Sequence, residues 1–116
     1  MKNIISKELL SKLLGEDCRG IISIRNELQG EFDPCLLVEY LSEGGKANLL
    51  INVHELAHKC KEWAMQKHNL WCISYRTKIG ATCKTFDTRS KNSKMFISSS
   101  EPEAIFKACQ WILDSE

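Results

Sequence analysis

Asn52-Val53-His54-Glu55-Leu56-Ala57-His58-Lys59-Cys60-Lys61-Glu62-Trp63-Ala64 is the stretch on which the reading of this 116-residue chain turns. Asn52 is a helix-capping residue type. Glu55 stands three positions later, the spacing at which a cap and a first-turn carboxylate satisfy each other's backbone donors. Val53, Leu56, Ala57, Cys60, Trp63 and Ala64 then recur at helical spacing and form one continuous apolar face. The spacing predicts an amphipathic helix over 53–66, with a β-rich segment on each side.

Upstream, Ser6 is a candidate N-cap for a short helix whose stripe is Leu9, Leu10, Leu13 and Leu14, with Gly15 as its stop. Three β-type segments follow. Gly20–Arg25 puts Ile22 and Ile24 on one face, Cys35–Leu41 puts Leu36, Val38 and Tyr40 on one face, and Asn48–Ile51 reads as the third strand. A turn at Gly30, Asp33 and Pro34 and another at Gly44-Gly45 join them, connections too short for parallel crossovers. Downstream, strands are predicted over 70–76, 79–86 and 94–99, with a polar loop at 87–93. Ser100, Pro102 and Glu103 open a closing helix with the stripe Ile105, Ala108, Cys109 and Ile112 and with Trp111 on its flank.

The order α-βββ-α-βββ-α predicts an α+β fold. The expected architecture is one antiparallel five- to six-stranded sheet with two or three packed helices, the first covering an edge or the other face. The length suits one domain spanning 1–116. The expected core is Leu10, Leu13, Ile22, Ile24, Leu36, Val38, Leu50, Leu56, Cys60, Trp63, Ile73, Ile97, Ile105, Ala108 and Ile112.

The composition, 43% hydrophobic and 27% charged, is that of a globular chain and not of a disordered one. The net charge of +1 favours no class of partner, so any electrostatic argument has to be local. No apolar run approaches the ~20 residues that span a bilayer, and the first residues lack a signal peptide's apolar stretch. A cytosolic protein, in a bacterial host, with no membrane partner is expected. The six cysteines, Cys18, Cys35, Cys60, Cys72, Cys83 and Cys109, include no Cys-x-x-Cys pair and sit largely among apolar neighbours. They read as small core residues, not as disulfides or zinc knuckles.

Two local features carry candidate chemistry. His54-Glu55-Leu56-Ala57-His58 matches the His-Glu-x-x-His pattern, in which two histidines one helical turn apart share a zinc ion and the glutamate activates the bound water. On that reading zinc is the cofactor, His54, His58 and Glu62 are the ligands, and Glu55 is the catalytic base. Against it, Asn52 starts the helix at the motif itself and both histidines fall well off the apolar stripe. Lys59 directly follows the second histidine, and no third histidine stands where zinc-hydrolase families place one. A solvated helix face with no metal is the reading the residues favour.

The second feature is charge. Arg76, Lys78, Lys84, Arg89, Lys91 and Lys94 stand against a single Asp87, about +5 over 76–94, and the rest of the chain is net acidic. Glu27, Glu31, Asp33, Glu39 and Glu43 concentrate negative charge around the first hairpin. Tyr75, Phe86 and Phe96 flank the basic segment, so it suits an acidic protein surface or a nucleic acid. No nucleophile elbow, P-loop or dinucleotide turn is present in the sequence.

The layout resembles small, largely uncharacterised phage and prophage proteins of the ABA-sandwich type. The residues that carry the resemblance are Leu14-Gly15 ending the first helix, Trp63 in the mid-chain helix with a hairpin after it, and Ser99-Ser100-Glu101-Pro102-Glu103-Ala104-Ile105 with Ala108 in the last helix. The resemblance implies a mobile-element origin and an accessory role in the host, and it transfers no catalytic residue. The expected function is therefore a non-enzymatic accessory protein that binds a host or phage macromolecule through the basic segment, as an inhibitor of host defence or regulation. The alternatives are a nucleic-acid-binding module and a small zinc hydrolase.

Overall fold

A computed structural model describes residues 5–15, 20–29 and 33–116. Its elements are α1 (Lys7–Leu14), β1 (Ile21–Gln29), β2 (Asp33–Ser42), β3 (Gly45–Asn52), α2 (Val53–His68), β4 (Leu70–Thr77), β5 (Gly80–Asp87), β6 (Ser93–Ser98) and α3 (Glu101–Asp114). The order is the one read from the sequence. The single sheet is not: β1-β2-β3 and β4-β5-β6 form two separate antiparallel sheets of three strands each. Tight connections close each triplet on itself, and the sixteen-residue α2 separates them in sequence. Periodicity finds strands but carries no information on whether β3 and β4 share a ladder. Cys18, the Gly30 turn and Glu31 lie outside the described residues. Asp33 and Pro34 open β2, paired with Gln29 and Leu28, and do not form a turn.

The chain forms two compact units, residues 1–56 and 57–116. In the first, Ser6 caps α1 by accepting from the Leu9 amide, and α1 lies against the edge strand β1. Ile5, Leu9, Leu10, Ile24, Cys35, Leu36, Val38, Ile51, Val53 and Leu56 are its buried apolar residues among those described. The expected Leu50 is exposed. In β3 it is Ile51 that is buried, on the face shared with Leu36. A one-residue change of parity moves a strand's whole side-chain set to the other face.

In the second unit α3 packs on all three strands. Ser100 caps it by accepting from the Glu103 amide, and Pro102 sits in the first turn where its missing N–H costs nothing. The acidic first turn also binds the sheet. Ser74 donates to Glu101 at 2.6 Å, and Ser98 donates to Glu103 at 2.8 Å. The buried face of α3 is Pro102, Ala104, Ile105, Phe106, Ala108, Cys109 and Ile112. The buried residues of the sheet side beneath it are small: Cys72 opposite Thr85, with Cys83 opposite Ser74 and Ala81 opposite Arg76. Gly80 opens β5 at φ +153, where a Cβ would strike the Ser98 carbonyl oxygen. Glycine there lets β5 and β6 close.

Candidate functional site

The expected core residues Ile73 and Ile97 are solvent-exposed, and that correction locates the main candidate site. Side chains alternate across a strand. In β4 the residues turned away from α3 are Trp71, Ile73 and Tyr75. Trp71 stands opposite Phe86, Ile73 opposite Lys84, and Tyr75 opposite Thr82. Lys84 and Thr82 in turn pair with Met95 and Ile97 of β6. Trp71, Ile73, Tyr75, Met95 and Ile97 are 45–59% exposed, and Thr82 is buried beneath its neighbours. The outer face of the second sheet is therefore a contiguous apolar surface with one cation at its centre. None of these cross-strand rows contains a carboxylate. Single exposed apolar residues are ordinary, but a contiguous patch of them marks an interaction surface.

The six basic residues do not form one patch. Lys84 alone lies in the outer face, between Ile73 and Met95. Arg76 falls on the α3 side, opposite Ala81, and Lys78 is in the β4–β5 turn. Arg89 and Lys91 sit in the β5–β6 loop at the far end of β5, ~23 Å away at the rise of an extended strand. Lys94 is on the α3 side, where its ammonium lies 4.7 Å from the Trp111 ring, a cation–π contact. Asp87 organises the loop. Its carboxylate accepts from the Arg89 amide at 2.8 Å and from Ser90, which holds its pKa below the usual carboxylate value.

The His-Glu-x-x-His segment is a helix start. The Asn52 side chain accepts from the His54 amide at 2.8 Å and the Glu55 amide at 3.3 Å. His54, Glu55 and His58 are exposed, and the His58 ring lies 2.9 Å from Glu62 as an i, i+4 surface pair. Among the described residues no three His, Cys, Asp or Glu side chains are grouped to hold a metal ion.

The structure also assembles a group the sequence reading missed. Cys60 of α2, Cys72 of β4, Cys83 of β5 and Cys109 of α3 are all buried and free, and they meet inside the second unit. Cys72 and Cys83 share the α3-facing side of one hairpin as diagonal neighbours. The Cys109 thiol lies 3.6 Å from the Cys60 carbonyl oxygen. That thiol's single proton points to the carbonyl; the neighbouring thiols of Cys109 and Cys83, with the positive charge of Lys61, favour the Cys72 anion and lower its pKa. Cys83 and Cys109 shift the other way, because they donate and are buried. Hairpin parity was the one signal that could have paired Cys72 with Cys83 in advance. Cys60 and Cys109 come from helices, and their approach is tertiary.

Comparison with protein families, curated proteins and solved structures finds no match to this chain.

Proposed function

We propose that this chain is a non-enzymatic interaction protein that binds an acidic, partly apolar protein surface through the outer face of β4, β5 and β6. The reading rests on one observation: five large apolar side chains stand half exposed on a continuous sheet face whose only charged member is Lys84. Trp, Tyr and Met are enriched in the buried centres of protein interfaces, where charged residues are depleted. The aliphatic share of the face, Ile73, Met95 and Ile97, favours a protein over a nucleic acid, whose interfaces are more polar and more strongly cationic. A second copy docked face to face would bring Lys84 into an apolar interface with no carboxylate to pair it. A partner with an apolar centre and an acidic rim matches instead, with Lys78, Arg89 and Lys91 at the ends of the sheet to steer the encounter.

A bacterial cytosolic setting and a phage or prophage origin belong to this proposal through the sequence resemblance, and phage genes on either side of the coding sequence would support the origin. Among the described residues no helix is long and apolar enough to cross a membrane. The test is comparative capture from host extract with the wild-type protein and an Ile73→Ser/Ile97→Ser variant, each with and without nuclease. A protein retained by the wild type after nuclease treatment and lost with the variant supports the proposal once purified partner and chain bind directly. Retention that nuclease abolishes points to nucleic-acid binding. Retention equal in both proteins contradicts the site.

A further inference from the structure

Among the described residues the outer strands are β1 and β3 in one sheet and β4 and β6 in the other. An outer strand offers a row of unpaired backbone donors and acceptors, which proteins ordinarily guard with a lysine, a proline or a bulge. β1 has a register shift between Ile21 and Ser23, and the Lys7 ammonium donates to its Ile22 carbonyl at 2.9 Å. β3 carries Lys46. β6 carries Lys94, and Lys107 donates to its Ile97 carbonyl at 3.1 Å. β4 has none of these guards: no lysine, no proline, and an unbroken register with β5 from Leu70 to Thr77. We propose that β4 pairs edge to edge, antiparallel, with β4 of a second copy of this chain. The two three-stranded sheets become one of six strands about a two-fold axis at Ile73. This interface uses the edge of the strand and does not rest on the outer-face reading.

The free backbone groups of β4 can be assigned from the other end of the sheet. The Asp87 N–H donates to the Asn92 carbonyl at 3.0 Å, so Asp87 turns its backbone toward the β6 side of β5. Backbone groups alternate between the two sides of a strand, so Phe86, Lys84 and Thr82 turn theirs toward β4. Their partners Trp71, Ile73 and Tyr75 are thereby bonded within the sheet. Leu70, Cys72, Ser74 and Arg76 turn N–H and C=O outward. The Lys107 contact agrees, since the same alternation turns Ile97, the partner of Thr82, outward from β6.

Pairing centred on Ile73 sets Cys72 against the second copy's Ser74 and Leu70 against its Arg76, so all four outward residues exchange hydrogen bonds. The side chains suit that register. On the outer face Trp71 stands across from the second copy's Tyr75, and the two Ile73 residues meet on the axis. Aromatic and β-branched cross-strand pairs stabilise such ladders. No like charges meet, because Arg76 is the only charged residue of β4 and stands away from the axis. On the other face the second copy's Arg76 arrives beside Leu70, which lines a cleft of about 300 Å³ with Lys61, Glu62, Met65 and Gln66 of α2. Met65 and Leu70 suit the arginine stem, and Glu62 supplies a carboxylate for its guanidinium. Each copy thus completes the other's cleft.

The test is sedimentation equilibrium of the full-length protein. The wild type should show twice the chain mass at ~100 µM, as a Kd of about 10 µM or tighter requires. Ser74→Pro removes one outward N–H, a change that an edge strand tolerates, and the two-fold axis loses that bond twice, so Kd should rise by at least about tenfold. Ser74→Ala removes only the hydroxyl that donates to Glu101 and should dimerise like the wild type. Arg76→Glu and Glu62→Arg should each weaken the dimer severalfold, and the two combined should restore it. Circular dichroism checks the fold of every variant, and the charge exchange decides the matter if Ser74→Pro does not fold. A wild type that stays monomeric at ~100 µM, a folded Ser74→Pro dimer as tight as that of Ser74→Ala, or a charge exchange that restores nothing overturns the proposal.

Discussion

Replacing Gly80 by alanine is expected to destabilise the unit that carries the proposed binding face. At φ +153 the new Cβ would strike the Ser98 carbonyl oxygen. That oxygen is backbone, and Ser98 is paired with Ala81 in the same ladder, so it cannot swing aside. Forcing an alanine into this conformation costs about 1–3 kcal/mol, and a lost ladder hydrogen bond adds about 0.5–1.5 kcal/mol. The smaller conformational entropy of an unfolded alanine offsets about 0.4–1 kcal/mol. The net loss is about 0.5–4 kcal/mol, centred on ~2 kcal/mol, or a fall in Tm of about 8 °C at that centre for a chain of this length. Urea and thermal unfolding followed by tryptophan fluorescence measure it, because Trp63, Trp71 and Trp111 all lie in residues 57–116. Gly44→Ala is the control, since a Cβ there meets nothing within 4 Å. If the two variants unfold within about 0.5 kcal/mol of each other, the close approach of β5 and β6 is not as described and the face assignment falls with it.

Ser100→Ala removes the acceptor for the Glu103 amide, so it should cost about 1 kcal/mol in the same unfolding assay, with Ser100→Gly costing less. The Asp87 carboxyl, followed by NMR titration, should show a midpoint below 3.8 because the Arg89 and Ser90 amides hold its anion. A depressed folded-state pKa means that this contribution is present above the unfolded value and is lost as pH falls through the folded one; Asp87→Asn should loosen the loop at neutral pH. Lys84→Glu should weaken partner binding more than Lys91→Glu, since Lys84 lies inside the face and Lys91 in the loop beyond it, and a salt series of association rates separates central from steering charge.

The helices were legible because their ends carry chemistry. Asn52 and Ser100 cap the elements they were assigned to, and the apolar stripes behind them are the buried faces. Strand positions were legible from the turn residues between them. The failure at Ile73 and Ile97 has a physical cause. In β4 the larger apolar residues, Trp71, Ile73 and Tyr75, share one parity, whereas the parity that faces α3 offers Leu70, Cys72 and Ser74. A hydrophobicity pattern chooses the first set as core. The large side chains of that interface come from the helix, where Ile105, Phe106 and Ile112 are buried against the small Cys72, Ala81, Cys83 and Thr85 of the sheet. Sequence reasoning tends to fail where a protein departs from the core pattern for function, and here it failed on the face that we assign to binding. The basic segment misled in another way: residues contiguous in sequence are carried to opposite ends of β5 by an extended backbone. The cysteine group was hidden because its members come from four elements, with spacings that match no local motif.

The most direct test of the outer face is a calorimetric titration of the captured partner into three proteins: wild type, Ile73→Ser and Leu41→Ser. Leu41 is 54% exposed and Ile73 52%, but Leu41 belongs to the first unit, so the pair separates position from mere exposure. Covering the exposed half of an isoleucine contributes about 1–2 kcal/mol, so Ile73→Ser should raise Kd roughly tenfold while Leu41→Ser leaves it unchanged. Equal affinities for the wild type and Ile73→Ser would place the binding surface elsewhere on the molecule.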